Sequence, residues 1–245
     1  MSRNCKVALA VFLSLSANVA TMAAGVSVLF VGNSLTQAND LPTDLRLSQR
    51  CMLMSMLTRS RPAALSFMIN WRSGIALGRL RELQPNFLIL QGQSMEPLLA
   101  PLKFNYYASL FKTDADRISA KTILFSTWAR PAGDPYYKDV TSGGSPVEMQ
   151  TRLNLAYASL AQNIGAMLAP VGLGFERARN DAPAVELLDG TQHPSPAGTY
   201  LAAAILFRVI FNSSPVGSNY HASLPATTAE TLQRIADAIP LNPVQ

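Results

Sequence analysis

From Val26 onward the chain alternates short, uninterrupted apolar runs with longer stretches in which apolar residues recur every three or four positions. Val26-Ser27-Val28-Leu29-Phe30-Val31 is the first such run, and it stops abruptly at Gly32-Asn33-Ser34. A run of this kind, closed by glycine and small polar residues, predicts a buried strand whose end opens into a crevice. Asp40-Leu41-Pro42 then opens a helical run to about Leu57, with Pro42 acceptable in a first turn. Residues 64–70 form the second apolar run, counted as the second strand, before Trp71-Arg72-Ser73-Gly74; residues 77–83 read as a short amphipathic helix that Pro85 stops. The third buried strand spans 86–90 and ends in Gln91-Gly92-Gln93-Ser94, and the fourth spans 121–126 and ends in Thr127-Trp128-Ala129, with a helix over 104–119 between them. Residues 130–145 are rich in Gly, Pro and Tyr and have no period, and so long a loop in a compact domain is more often functional than idle. A helix from Pro146 to about Leu168, a weak fifth strand over 171–175, a strongly apolar helix over 196–211 and an amphipathic helix over 227–239 complete the pattern. Five strands alternating with helices predict an α/β fold: a five-stranded parallel sheet covered on both faces, a three-layer α/β/α sandwich. Ligands of such sheets bind beyond the carboxyl ends of the strands, where Ser34, Gly74, Gln93 and Trp128 all fall.

The first 24 residues do not belong to this alternation. Arg3 and Lys6 precede an apolar run over 7–15, and small residues follow through Thr21-Met22-Ala23-Ala24, the layout of a secretory signal peptide cleaved after Ala23 or Ala24. Its apolar part is too short for a spanning helix, so no stable membrane insertion is expected once it is removed; a retained N-terminal anchor is the competing reading. The expected organisation is therefore a leader over 1–24 and one domain over 25–245, exported to the periplasm or secreted. A content of 49% hydrophobic and 14% charged residues gives that single domain a substantial core. Removing the leader takes Cys5 and leaves Cys51 as the sole cysteine, which rules out an internal disulfide and leaves too few ligands for a structural zinc cluster. It also lowers the net charge from +5 to +3, too mild a balance to indicate nucleic-acid binding. Arg46, Arg50, Arg59, Arg61, Arg72, Arg79 and Arg81 occur with no Asp or Glu among them; solvated surface is the ordinary reading, and attraction to an anionic envelope polymer the sharper one.

Chemistry enters at Ser34, the candidate nucleophile. A serine hydroxyl is weak by itself and needs a base and donors for a developing oxyanion. The chain has two histidines. His221 lies in a polar segment without a nearby carboxylate, whereas His193 follows Asp189-Gly190-Thr191-Gln192 and directly precedes the apolar helix. An isolated histidine is ordinarily a cap or an exposed ring; here Asp189 supplies a partner able to fix its tautomer and stabilise the imidazolium.

Taken together, Gly32-Asn33-Ser34-Leu35 after the first strand, a glycine after the second, Gln91-Gly92-Gln93-Ser94 after the third, and Asp189-Gly190 with His193-Pro194-Ser195-Pro196-Ala197-Gly198 near the C-terminus resemble the SGNH (GDSL-like) hydrolase superfamily, in particular its exported bacterial members. The stretch 166–175 is similar to the fifth-strand region of those members. The resemblance spans residues 26–211 and implies a flavodoxin-like sheet and ester hydrolysis through an acyl-enzyme, with no metal and no organic cofactor. It implies Ser34 as nucleophile and oxyanion donor through its own N–H, Gly74 as a second backbone donor, Gln93 as a side-chain donor where the family usually has Asn, His193 as base and Asp189 as its orienting acid. Each well-placed oxyanion donor is worth about 3 kcal/mol. Trp128, Gln91 and Asn33 are expected at the substrate crevice. Trp128, with Tyr136 and Tyr137, can stack on sugar or acyl groups or simply pack the rim. Gln91 and Gln93 can equally satisfy nearby backbone, and either Gly74 or Gly78 can serve the turn. One departure stands out: the family's acid precedes the histidine by three positions, and here Asp189 is four before His193. The extra residue adds about 3.3 Å of chain, which a turn at Gly190-Thr191 can absorb; otherwise a Ser-His dyad operates. The expected substrate is a small-molecule or polysaccharide ester, an acyl group on a carbohydrate or cell-envelope polymer being the first reading. Acyl transfer, a lipase-type esterase and a catalytically silent carbohydrate-binding protein are the alternatives, and the sequence leaves the oligomeric state open.

Overall fold

The computed structural model describes residues 25–45, 51–57 and 66–241. The expected leader over 1–24 and Arg46, Arg50, Arg59 and Arg61 lie outside them. Strand β1 (Val26–Val31) is the centre of the architecture, and its side chains alternate between two cores. Val28 and Phe30 point into one, while Leu29 and Val31 point into the other, all of them at most 1% exposed. A strand buried on both faces is what an uninterrupted apolar run encodes.

Four further strands, β2 (Cys51–Leu57), β3 (Phe87–Leu90), β4 (Lys121–Phe125) and β5 (Met167–Ala169), complete a five-stranded sheet in the order β2-β1-β3-β4-β5, and every pairing is parallel. That order is the flavodoxin-like one, and its direction of progression reverses between β1 and β3. Helices α1 (Ser34–Gln37), α2 (Leu41–Asp44), α3 (Phe67–Arg72), α4 (Ile75–Leu83), α5 (Glu96–Leu99), α6 (Pro101–Asp116), α7 (Pro146–Ile164), α8 (Val171–Asp181), α9 (Pro196–Phe211) and α10 (Ala226–Ala238) cover the two faces. One core lies between the sheet and α2, α8, α9 and α10; the other lies between the sheet and α3, α4, α6 and α7. Helix α9 is buried almost all round because α2, α8 and α10 pack on it as well as the sheet, which explains its unbroken apolar sequence.

Three expectations need correction. The helix opened by Pro42 ends at Asp44 rather than near Leu57, and Cys51–Leu57 is the edge strand β2. Met and Leu favour helix locally, but parallel pairing along the whole of β1 overrides that preference. The run over 64–70, counted as a strand, contains the start of α3, with Ser66 as N-cap accepting from Ile69 N and Phe67 stacked on Phe104 at 5.3 Å. Lastly, the fifth strand is the three-residue Met167–Ala169, not 171–175. Pro170 cannot continue the ladder, and helix α8 starts immediately after it. Helix α7 accordingly stops at Ile164, where Gly165 takes a left-handed φ of 65°.

Candidate active site

The carboxyl ends of β1 and β3 meet at the point where strand order reverses, and Ser34 stands there on the first turn after β1. Its neighbours Gly32, Asn33, Leu35 and Thr36 are buried, whereas Ser34 is exposed. The turn is locked by one side chain from β3's end. Gln91, with no exposed surface, accepts from Asn33 N at 3.1 Å and from Thr36 Oγ1 at 2.7 Å, and its amide donates to Gly92 O. Asn33 caps α1 by accepting from Leu35 N at 3.1 Å and donates to Gly92 O at 3.3 Å. Gly32 is required for this approach, because a Cβ there would stand 2.4 Å from Thr36 Oγ1 and 3.0 Å from Gln91 Oε1.

His193 arrives on a different loop. Leu188 and Pro194 form an isolated antiparallel bridge, Asp189 N donates to His193 O at 3.1 Å, and Gly190 turns the chain at a φ of 88°. The half-buried ring lies with Nε2 3.0 Å from Ser34 Oγ. Asn39, just after α1, ties the two loops together by donating to Pro194 O at 2.9 Å and to Thr199 Oγ1 at 3.0 Å. It holds a left-handed φ of 53°, a conformation that asparagine tolerates better than most residues.

Asp189 takes a position the spacing did not suggest. The turn absorbs the extra residue, but Asp189 Oδ1 accepts from Thr191 N at 3.0 Å and Thr191 Oγ1 at 2.6 Å, and it is Thr191 Oγ1 that lies 3.0 Å from His193 Nδ1. The Thr191 hydroxyl bond, aided by the His193 ring, holds the exposed Asp189 carboxyl below its ordinary range. An exposed carboxylate of this kind is ionised at neutral pH.

The remaining expected residues divide. Gly74 is the left-handed turn between α3 and α4, and its N–H donates to Trp71 O at 3.1 Å, so this donor is already engaged. Gln93 curls onto its own loop, accepting from Met95 N at 2.8 Å and reaching Ser94 Oγ with Nε2 at 3.3 Å; an amide nitrogen has a second N–H to offer. Gln91 and Asn33, expected at the crevice, are buried supports of the Ser34 turn, since their polar groups are consumed by backbone and Thr36. Trp128 is 2% exposed, lies flat on Phe175 at 4.1 Å and donates from its indole to Gln192 O at 3.1 Å. It is a core residue that props the base-bearing loop, not a rim aromatic.

Sequence reasoning missed Thr191, Asn39 and Arg130. Arg130 is 9% exposed, pairs with Asp134 at 3.1 Å, donates to Ser94 Oγ at 3.1 Å and lies under the Tyr136 ring at 4.4 Å. It sits two residues beyond Trp128 at the end of the fourth strand motif, which was the available signal. Tyr137 donates to Arg130 O, and burial with Asp134 nearby pushes its phenol up to about 12, so it is a neutral donor here. Glu96, 5% exposed, accepts from Phe67 N and Gln93 N at 3.2 Å, and burial raises its carboxyl above the ordinary value. Among the described residues no group of three or more His, Cys, Asp or Glu is placed to hold a metal, and no helix is long and apolar enough to cross a membrane.

No protein-family profile matches the chain, and no curated protein does. Solved structures do. A protein from Slackia heliotrinireducens provisionally assigned to the SGNH hydrolases is 28% identical, with a TM-score of 0.65 over 76% of this chain and 99% of that one. A DUF4886 family protein from Bacteroides uniformis is 16% identical, with a TM-score of 0.71 over 86% of this chain and 93% of that one. An acetyl xylan esterase is 14% identical, with a TM-score of 0.54 over 76% of this chain and all 100% of its own.

Proposed function

We propose that the chain, similar in sequence motifs and fold to the SGNH (GDSL-like) hydrolases, is a serine ester hydrolase in which Ser34 attacks and His193 is the base. The observation that carries this reading is the 3.0 Å contact between His193 Nε2 and the exposed Ser34 Oγ, held from one side by Gln91 and from the other by Asn39. As Ser34 Oγ bonds to the acyl carbon, its proton passes to Nε2 and the carbonyl electron pair moves onto oxygen. Collapse of that intermediate breaks the bond to the leaving alcohol, which takes the proton back and leaves an acyl-enzyme. Water repeats the sequence, giving up a proton to Nε2 and releasing the acid and Ser34. The Ser34 N–H at the start of α1 and the second N–H of Gln93 Nε2 are the donors we assign to the oxyanion, whereas the Gly74 N–H is already engaged by Trp71 O. The mechanism requires neither metal nor organic cofactor.

For the substrate we favour an acyl ester on a carbohydrate or cell-envelope polymer. The leader-like sequence at 1–24 supports export to the periplasm or the exterior, and an acetyl xylan esterase is among the structural neighbours. Hydrolysis of p-nitrophenyl acetate separates this reading from a silent binding protein on the same fold. Ser34→Ala should lower kcat by at least about a thousandfold while leaving the fold intact; equal rates for the two proteins would overturn it.

A further inference from the structure

The Thr191 hydroxyl stands among three partners. It lies 2.6 Å from Asp189 Oδ1, 3.1 Å from the backbone N–H of His193 and 3.0 Å from His193 Nδ1. A hydroxyl has one proton to give and two lone pairs to fill. An ionised carboxylate can only accept, so the Thr191 proton goes to Asp189, and the backbone N–H of His193 can only donate, so it fills the first lone pair. The one role left for Nδ1 is to donate into the second. Nδ1 therefore carries the hydrogen, and Nε2 is left with its lone pair facing Ser34. The opposite tautomer would set a lone pair on Nδ1 against an oxygen with no proton to spare, and would aim an N–H at the nucleophile.

We infer that Thr191 is the positioning residue of this site, an interposed hydroxyl through which the Asp189 carboxylate selects the His193 tautomer that can act as a base. This inference rests on the esterase reading for its purpose and for its kinetic test, but not for the tautomer measurement. The arrangement also accounts for the four-residue spacing. The added residue lets Asp189 close an Asx-type turn on Thr191 N, so the carboxylate is anchored locally, and Thr191 spans the gap to the ring. When Nε2 takes the Ser34 proton, the Nδ1 hydrogen stays where it is, and the positive ring faces a dipole chain that ends in a negative charge.

A direct Asp–His pair and this relay predict opposite rankings of two variants. In Asp189→Asn the amide oxygen can still accept from Thr191 N and Oγ1, so the hydroxyl keeps its direction and kcat/KM should fall by less than about tenfold. Thr191→Val keeps the shape but removes the hydroxyl, and kcat/KM should fall by about a hundredfold or more, as expected when a catalytic histidine loses its tautomer. Thr191→Ser should return to within about threefold of wild type. A second readout uses no substrate: in protein labelled with 15N-histidine and held at alkaline pH, the imidazole shifts report which nitrogen is protonated. His221→Gln leaves a single histidine and assigns the signals. Wild type and Thr191→Ser should show hydrogen on Nδ1, and Thr191→Val should shift towards hydrogen on Nε2. The inference is overturned if wild type carries its hydrogen on Nε2, if Thr191→Val keeps it on Nδ1, or if Asp189→Asn costs more than Thr191→Val. A wild type that hydrolyses no ester would defeat the esterase reading and leave the tautomer measurement standing.

Discussion

The two loops that bring Ser34 and His193 together are built in opposite ways. The Ser34 turn is a buried structure: Gln91, Asn33 and Thr36 are all at most 6% exposed, and every polar group they bring is matched by a partner from β3's end or the turn itself. The Asp189–His193 loop is surface structure, closed on itself by Asx and hydroxyl bonds, with Asp189 and Thr191 exposed. Its ties to the rest of the molecule include Asn39, the Trp128 indole and the Leu187–Ser195 backbone contact. The nucleophile is thus fixed by the fold, and the base by a local network docked onto it. Damage to the first should appear mainly as lost stability, and damage to the second mainly as lost rate.

The strongest test of that division is Gln91→Leu. It removes an acceptor from the buried Asn33 N–H and Thr36 hydroxyl and should cost about 3 kcal/mol, since unmet buried donors cost more than a made hydrogen bond contributes. Thermal unfolding should show a fall in Tm of roughly 6–12 °C for a domain of this size. An unchanged Tm would mean that the Ser34 turn does not depend on its buried network. Asn39→Gly comes next: glycine accepts the left-handed backbone, so the substitution deletes the tie to Pro194 and Thr199 and little else. Turnover should drop about tenfold through looser placement of the ring, with a stability loss of about 1 kcal/mol. The reverse pattern, lost stability at full turnover, would erase the distinction between the two loops.

The smallest effect concerns pH. Burial raises the Glu96 carboxyl in the folded protein, so the native state binds this proton more tightly than the unfolded chain. Its contribution to stability is fully present below the ordinary carboxylate value and is lost as pH rises through the raised one. Asp189 is shifted down by its exposed hydroxyl bond, so its smaller contribution runs the other way and is lost in acid. Urea midpoints of wild type and Glu96→Gln, compared at pH 7.5 and pH 5.5, should move in favour of wild type at the lower pH. A difference that does not change with pH would show that Glu96 titrates normally.

The same contrast governs what the sequence could reveal. Strands β1, β3 and β4 end in the continuous apolar runs 28–31, 87–90 and 123–125, buried on both faces, and Ser34 and Gln93 follow the first two as expected. Strand β2 was hidden because its Cys-Met-Leu-Met-Ser-Met-Leu sequence has no β-branched residue, and its strand character comes from pairing with β1. Strand β5 is three residues long, too short for any period to register. The roles of Gln91 and Trp128 turned on which way a strand-end side chain points, information that lies in tertiary packing. Thr191 was passed over because a carboxylate near a histidine invites a direct pairing, whereas the turn geometry at Gly190 puts a hydroxyl between them.

Everything proposed for this site depends on Ser34 being the nucleophile. Labelling with a fluorophosphonate followed by peptide mapping tests it most directly. A single adduct is expected on Ser34, abolished in Ser34→Ala and strongly slowed in Thr191→Val. Modification of a different residue, or none under conditions that label other serine hydrolases, would contradict it.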